Sequence, residues 1–160
     1  MKRRGISPII ATLFLIASAV IVGIAFISWS QGWFTTSART VELQISGDIV
    51  RSSSSAQMNL QIKNVGTSSV TIQKIEVEGA TGTITYTTGG GFGTVTVTNP
   101  ASSPIAFAVS VPLDPGQVVS GYIRANSNTA WKGGATYTVT VTYQDVDTQK
   151  TLTETVSIRA

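Results

Sequence analysis

The chain has 160 residues, with 11 basic and 8 acidic side chains and neither His nor Cys. This length suits one compact domain with an additional segment, because domains usually contain about 100 to 200 residues. The lack of Cys and His excludes a disulfide framework, the usual zinc sites and Cys/His nucleophiles. Three of the basic residues, Lys2, Arg3 and Arg4, are adjacent, and the others are scattered and balance the acidic side chains. The sequence therefore predicts no nucleic-acid partner, which needs clustered basic residues.

An uncharged stretch over residues 6–34 is the strongest feature of the sequence. Residues 9–29 are apolar and, at about 20 residues, long enough to cross a bilayer as a helix. The basic residues precede this helix, so the positive-inside rule places the N-terminus in the cytoplasm and the remainder outside. Trp29, Trp33 and Phe34 come where the helix would leave the apolar layer. A secretory signal has a shorter apolar region of about 7 to 15 residues, which favours an uncut anchor.

The junction at the start of this helix resembles a known processing signal. Residues 2–5 read Lys-Arg-Arg-Gly and residues 6–13 read Ile-Ser-Pro-Ile-Ile-Ala-Thr-Leu. This pattern resembles the class III signal of archaeal adhesion pilins, the subunits of type IV pili, over residues 1–34. The resemblance implies that a prepilin peptidase removes the leader, residues 1–5, by cutting between Gly5 and Ile6. It further implies assembly with identical subunits, a pilus assembly ATPase and a membrane platform protein, after a stage in the cytoplasmic membrane.

The helix over residues 6–34 is the predicted assembly element of such a filament. Small residues permit close helix approach, and Thr12 and Ser18 are able to hydrogen-bond within or between helices. Pro8 is tolerated because the first helical turn does not use its missing N–H. Bacterial pilins usually carry Glu where this chain has Ile10, and archaeal adhesion pilins commonly lack it. The candidate assembly residues are Ile9, Leu13, Ile16, Val20, Gly23 and Ile27.

Residues 35–160 are predicted to form an extracellular β domain after a short polar hinge at residues 35–38. Apolar residues alternate with polar ones from Val41, Met58, Ile105 and Val156, and residues 136–143 show one apolar face and one threonine face. Turn residues separate these patterns at Asn64-Val65-Gly66, Gly89-Gly90-Gly91, Asn99-Pro100, Asp114-Pro115-Gly116 and Lys132-Gly133-Gly134. The fold class is therefore α+β, a long N-terminal hydrophobic helix followed by an antiparallel β-sandwich head. The segments 60–66 and 113–116 resemble immunoglobulin-like domains of archaeal surface proteins.

Four groups of residues suggest chemistry at first sight, and each is better interpreted structurally. Gly89-Gly90-Gly91-Phe92-Gly93 lacks the spacing of a phosphate loop and predicts a mobile hairpin. Asp145 and Asp147 lack the other oxygen ligands of a calcium loop and predict a solvated hairpin turn. Glu76 and Glu78 share their strand face with Lys74 and predict an outer face, while residues 52–55, four serines without a His, predict a loop. The sequence therefore predicts a protein that is not an enzyme and that has no catalytic residue, metal site or cofactor.

Two further hypotheses remain beside the adhesion filament. One is a membrane-anchored surface binding module, similar to an archaellum stator or a surface-layer-associated protein, which shares the signal but does not polymerise. The other is archaellin, which ranks lower because its helix start usually lacks the Ser7-Pro8 pair seen here. The presence or absence of the protein in sheared filaments distinguishes the first hypothesis from the anchored module.

Overall fold

The structure is a computed structural model that describes residues 8–37, 39–80, 83–98 and 104–160. It divides into two compact units, Met1–Arg39 and Thr40–Ala160. The predicted processing residues Gly5 and Ile6 and the predicted turn at Asn99-Pro100 lie outside the described residues.

The first unit contains one helix, α1, which spans Pro8–Ser37. Thr12, Ser18 and Ser30 each donate their hydroxyl hydrogen to the backbone carbonyl three residues earlier, at 2.9 Å. These polar side chains are thus satisfied within the helix itself. The prediction of a hinge from residue 35 onwards is wrong for residues 35–37, which continue the helix. Thr and Ser cost a helix only a few tenths of a kcal/mol each, and no Gly or Pro stands there to end it.

The second unit is the head, an antiparallel β-sandwich, as predicted. One sheet has the strand order β1-β2-β7-β4-β5 and the other has the order β6-β3-β8-β9. All pairings are antiparallel. The described residues form these strands: β1 Leu43–Arg51, β2 Ala56–Asn64, β3 Val70–Glu78, β4 Thr85–Gly90, β5 Thr96–Thr98, β6 Ile105–Leu113, β7 Val118–Ala125, β8 Thr136–Asp145 and β9 Thr151–Arg159.

The core lies between the two sheets and belongs to the head alone. Met58, Leu60 and Ile62 of β2 point inwards and are fully or almost fully buried, and Val139 and Val141 do the same on β8. Alternate residues of these strands face outwards, as the sequence pattern predicted. Every buried apolar side chain of the described residues lies between positions 43 and 158. The head therefore closes its own core without α1.

A buried asparagine fixes the predicted turn after β2. Asn64 is fully buried, and its Nδ2 donates to the carbonyls of Ser68 at 2.8 Å and Leu113 at 3.0 Å. Its Oδ1 accepts the backbone N–H of Gly66 at 3.0 Å. This side chain thus ties the turn to the end of β6. The predicted turns at residues 114–116 and 132–134 are also confirmed, with positive φ at Gly116 and Gly134.

Candidate functional sites in the helix and the head

The predicted assembly residues lie on one face of α1, since they recur every three or four positions. Five of the six are large side chains with exposed fractions between 54% and 71%. The sixth, Gly23, has no heavy atom within 4 Å of a Cβ added to it. Phe14, Leu15 and Val22, on the other side of the helix, are 67% to 72% exposed. The structure thus brings the six residues together, but their exposure does not distinguish their face from the rest of the helix.

The helix is long and apolar enough to cross a membrane. The candidate span is Pro8–Gln31, in which an 18-residue window has a mean hydropathy of 2.7 and no buried residue. These 24 residues measure about 36 Å at 1.5 Å per residue, compared with about 30 Å for a hydrocarbon core. A helix that is apolar on all sides is stable only when lipid or other helices cover it.

The head carries a row of polar side chains across the outer face of its first sheet. The strand register aligns Asp48 of β1, Asn59 of β2, Tyr122 of β7 and Gly89 of β4. The amide Nε2 of Gln57 donates to Asn59 Oδ1 at 2.6 Å, and Asn59 Nδ2 donates to Asp48 Oδ2 at 3.1 Å. These hydrogen bonds hold both amide planes and the carboxylate in fixed orientations.

Tyr122 lies flat on the sheet because its neighbour across β4 is a glycine. A Cβ added to Gly89 would lie 2.4 Å from both Cζ and Oη of Tyr122. Gly89 is buried under this ring, whereas Tyr122 itself is partly exposed. The predicted hairpin is confirmed for residues 91–93, which lie in the connection between β4 and β5, but Gly89 and Gly90 belong to β4 itself. Any larger residue at position 89 has to displace the ring.

A groove runs over this outer face. Its largest part is a depression of about 570 Å³ lined by Ser46, Asp48, Asn59, Gln61, Ser120 and Tyr122, together with Leu60 and three glycines. Two smaller depressions of about 370 and 320 Å³ continue it past Arg124. Asn59 borders the first and second of them, and Arg124 borders the second and third. Sequence reasoning missed this groove; the available signal was Tyr122 among the polar outward residues of its strand.

The other candidate groups have structural roles. Lys74 Nζ pairs with Glu76 Oε1 at 3.1 Å on the outer face of β3, so the predicted outer face is confirmed. Asp145 Oδ1 accepts the N–H of Asp147 at 3.2 Å, and its Oδ2 accepts the hydroxyl of Thr148 at 2.5 Å. The prediction of a turn is confirmed, but Asp145 is 2% exposed and not solvated. Within the described residues, no three His, Cys, Asp or Glu side chains form a group fit to hold a metal ion.

Three aromatic side chains close one part of the head's core. The Trp131 ring centroid lies 5.3 Å from that of Tyr86 and 5.0 Å from that of Tyr137. The Tyr137 hydroxyl oxygen accepts the backbone N–H of Lys132 at 2.5 Å. Burial, with a smaller contribution from Tyr137, raises the pKa of Tyr86 to about 12. Burial, followed by the carboxylates of Glu154 and Glu42, also raises the pKa of Tyr143.

Comparison with known proteins leaves the family open. No family model matches the chain, and no curated protein matches it. Among solved structures, the PapD-like domain 7 of human CEP192 is similar at 14% identity and a TM-score of 0.37, over 76% of this chain and 86% of that one. The collagen-binding domain of a Staphylococcus aureus adhesin is similar at 12% identity and a TM-score of 0.36, over 76% and 99%. A FixG-related protein from Vibrio parahaemolyticus is similar at 8% identity and a TM-score of 0.34, over 73% of this chain and 94% of that one. Scores this low carry no argument about function.

Proposed function

We propose that this protein is the structural subunit of an archaeal type IV pilus-like filament used for adhesion. Two features of the chain carry the proposal: a 30-residue helix, exposed and apolar on all sides where its side chains are described, and a separate head that closes its own core. Such a helix requires a cover of lipid or of other helices. The junction at Gly5 and Ile6 resembles a prepilin cleavage site. This resemblance favours other helices, rather than lipid, as the final surroundings of α1.

In this proposal the precursor waits in the cytoplasmic membrane with its N-terminus inside. Cleavage behind Gly5 removes Lys2, Arg3 and Arg4, whose charges hold that end on the cytoplasmic side. The helix then leaves lipid for a bundle of identical helices, driven by an assembly ATPase and a membrane platform protein. Thr12, Ser18 and Ser30 satisfy their hydroxyls within the helix, so these three groups need no new partner when the helix passes from lipid to the bundle.

The head in this proposal is an immunoglobulin-like domain on the outside of the filament. The orders β1-β2-β7 and β3-β8-β9 correspond to strands A-B-E and C-F-G of that fold, with β4, β5 and β6 inserted between C and E. Tyr137, at the start of β8, accepts a backbone hydrogen bond from Lys132, five residues earlier. This contact matches the tyrosine corner found at the start of strand F.

A membrane-anchored binding module is the second candidate, and the same helix favours it. Pro8–Gln31 alone satisfies the length and hydropathy of a membrane span, so the chain is able to anchor a head without polymerising. Archaellin remains the third candidate. The filament hypothesis differs from the anchored module in one observable, which is whether the protein leaves the cell in sheared fibres.

The test is to shear cell surfaces, examine the released material by negative-stain microscopy, and sequence the N-terminus of its main band. We expect fibres whose subunit begins at Ile6. A Gly5→Leu variant should accumulate as uncut precursor in the membrane fraction, whereas Thr140→Ala on the outer face of the head should process normally. Fibres that retain residues 1–5 would falsify the cleavage. A protein that stays with the membrane and never enters fibres would support the anchored module.

A further inference from the structure

We infer that the groove on the outer face of the first sheet binds an extended glycan, with a pyranose ring on Tyr122 and a carboxylated sugar at Arg124. The groove is 570 Å³ in its main part, which falls in the range of ligand sites. It lies entirely within Thr40–Ala160, so binding does not depend on α1. The proposed adhesion gives this binding its role, and the binding itself holds with or without a filament.

Tyr122 has the orientation of a sugar platform. One face of its ring rests on Gly89, which has no side chain to lift it from the sheet. Tyr122 as a whole is partly exposed and lines the groove, so the ring face away from Gly89 is the one that a ligand would contact. Aromatic ring faces carry partial negative charge, and they attract the slightly positive C–H groups of a pyranose face while burying apolar surface.

The side chains around the ring suit vicinal hydroxyl groups. Asn59 lies directly opposite Tyr122 in the register, and its hydrogen bonds to Gln57 and Asp48 hold it in place. A side-chain amide has two donor hydrogens and two acceptor lone pairs, so Asn59 keeps one donor and one acceptor position for a ligand. A sugar hydroxyl both donates and accepts. Pre-orientation lowers the entropy that binding costs.

Arg124 supplies the expected partner for a carboxylate. It follows Tyr122 by two residues on the same face, about 7 Å along the strand, so neighbouring sugars of one chain reach both. Arg124 is exposed, and it forms no ion pair within the part of the chain that the structure describes. A guanidinium binds a carboxylate through two parallel hydrogen bonds, which makes it the natural contact for a uronic acid.

A glycan fits this groove better than a peptide does. Peptides in extended form usually add to a free sheet edge, but β2 and β7, which form the floor, are both paired on each side. Most side chains that line these two parts of the groove carry amides or hydroxyls, and Leu60 and Val50 are the apolar ones, so the groove offers few apolar contacts to a peptide side chain. A nucleic acid is also disfavoured, because Arg124 is the one cation among the lining residues and phosphate chains need several.

The test is a panel of neutral and uronic-acid-containing oligosaccharides, offered to the full chain in detergent micelles with Thr40–Ala160 in parallel. The best binder is then titrated by calorimetry against variants. We expect Tyr122→Ala to weaken binding about tenfold or more, and Tyr122→Phe, which keeps the ring, to stay within about threefold. Arg124→Gln should remove the preference for carboxylated chains and leave neutral ones unchanged. Thr140→Ala, on the outer face of the other sheet, is the matched control.

Several outcomes overturn the inference. They are no binding to any oligosaccharide, binding that Tyr122→Ala and Asn59→Ala both leave unchanged, or tighter binding of extended peptides at the same residues. If Tyr122→Ala lowers the unfolding midpoint, its loss of binding could come from loss of folding, and Asn59→Ala then provides the independent test of the groove. A protein that forms filaments but binds no sugar refutes the groove and leaves the filament intact. A protein that binds sugar but forms no filament supports the groove and refutes the filament.

Discussion

The helix and the head differ in what covers their apolar side chains. On α1, Leu13, Phe14 and Ile16 are 60% to 72% exposed. In the head, side chains of the same types, such as Ile72, Ile75 and Phe107, are completely buried. The head buries its apolar residues against one another, whereas the helix leaves them for an external partner. Stability of the head is therefore a property of one chain, whereas stability of the helix depends on its surroundings.

The largest effect should come from a charge on the helix. Val20→Asp or Leu13→Asp should abolish filaments, because an unpaired carboxylate in a bundle of helices costs several kcal/mol per subunit. The variant should still reach the membrane and still be cut behind Gly5, because insertion tolerates one Asp at about 2.5 to 3.5 kcal/mol. Microscopy and immunoblotting of sheared material measure the outcome.

Thr140→Asp, an equal charge on the outer face of the head, is the control for that experiment and should assemble. Normal assembly of the Val20→Asp and Leu13→Asp variants would refute the helix-bundle core.

The same substitution in the two regions should give unequal losses of stability. Trp131→Ala should lower the free energy of unfolding of the head by about 3 to 5 kcal/mol, since it empties a fully buried site between Tyr86 and Tyr137. Trp29→Ala on α1 should leave that free energy unchanged, because Trp29 is 62% exposed and belongs to the other unit. Urea unfolding followed by β-sheet circular dichroism measures both. Equal effects would mean that the two units do not unfold independently.

Alkaline pH should weaken the head and spare the helix. The pKa of Tyr86 is near 10 in the unfolded chain and about 12 in the head. Between these pH values the folded head therefore keeps the hydroxyl proton that the unfolded chain has lost. The stability it contributes is complete below pH 10 and falls as the pH rises to 12, by up to about 1.4 kcal/mol per unit.

Tyr86→Phe is the control for the pH experiment and should flatten that fall. At pH 7 it should change the free energy of unfolding by no more than about 1 kcal/mol, because the Tyr86 hydroxyl has no hydrogen-bond partner among the described residues. The measurement is the unfolding midpoint from pH 8 to 12. If the unfolding midpoint of the variant falls with pH as steeply as that of the unmodified head, the effect belongs to another group, such as Tyr143.

The smallest effect should come from adding a methyl group to a glycine in each region. Gly66→Ala should destabilise the head by about 1 to 3 kcal/mol, because its Cβ would lie 2.4 Å from the carbonyl oxygen of Thr40. Gly23→Ala meets no atom within 4 Å and should favour the isolated helix by roughly 1 kcal/mol. Thermal unfolding of the full chain in micelles separates the two. A stable Gly66→Ala head would show that residues 39–42 are free to move away.

Alternation of apolar and polar residues predicted the strands β1, β2, β6, β8 and β9, because these strands have one buried and one outward face. The pattern fails in β3, where the register shifts between Ile72 and Lys74 and places both Ile72 and Ile75 in the core. It also fails in β7, where Gly121 faces inwards and the ring of Phe92 fills its place. A bulge and a glycine both depend on the neighbouring strand, which local sequence does not identify.

The candidate groove was beyond sequence reasoning for a related reason. Asp48, Asn59, Gly89 and Tyr122 are far apart in the chain and adjoin only through the pairing of four strands. No spacing rule connects them. The predicted assembly residues on α1, in contrast, follow from the period of a helix and are found on one face of it.

The sequence alone predicts the division into an apolar helix and a β-rich head, because hydropathy and alternation act locally and each segment carries enough of one or the other to select its structure. It also determined which residues of the regular strands face the core. Three features emerge only in the folded head: β7 lies between β2 and β4, Tyr122 rests on Gly89, and Asp145 is buried in its turn. These features depend on contacts between distant segments, whose free energy appears only when both sheets close over one core.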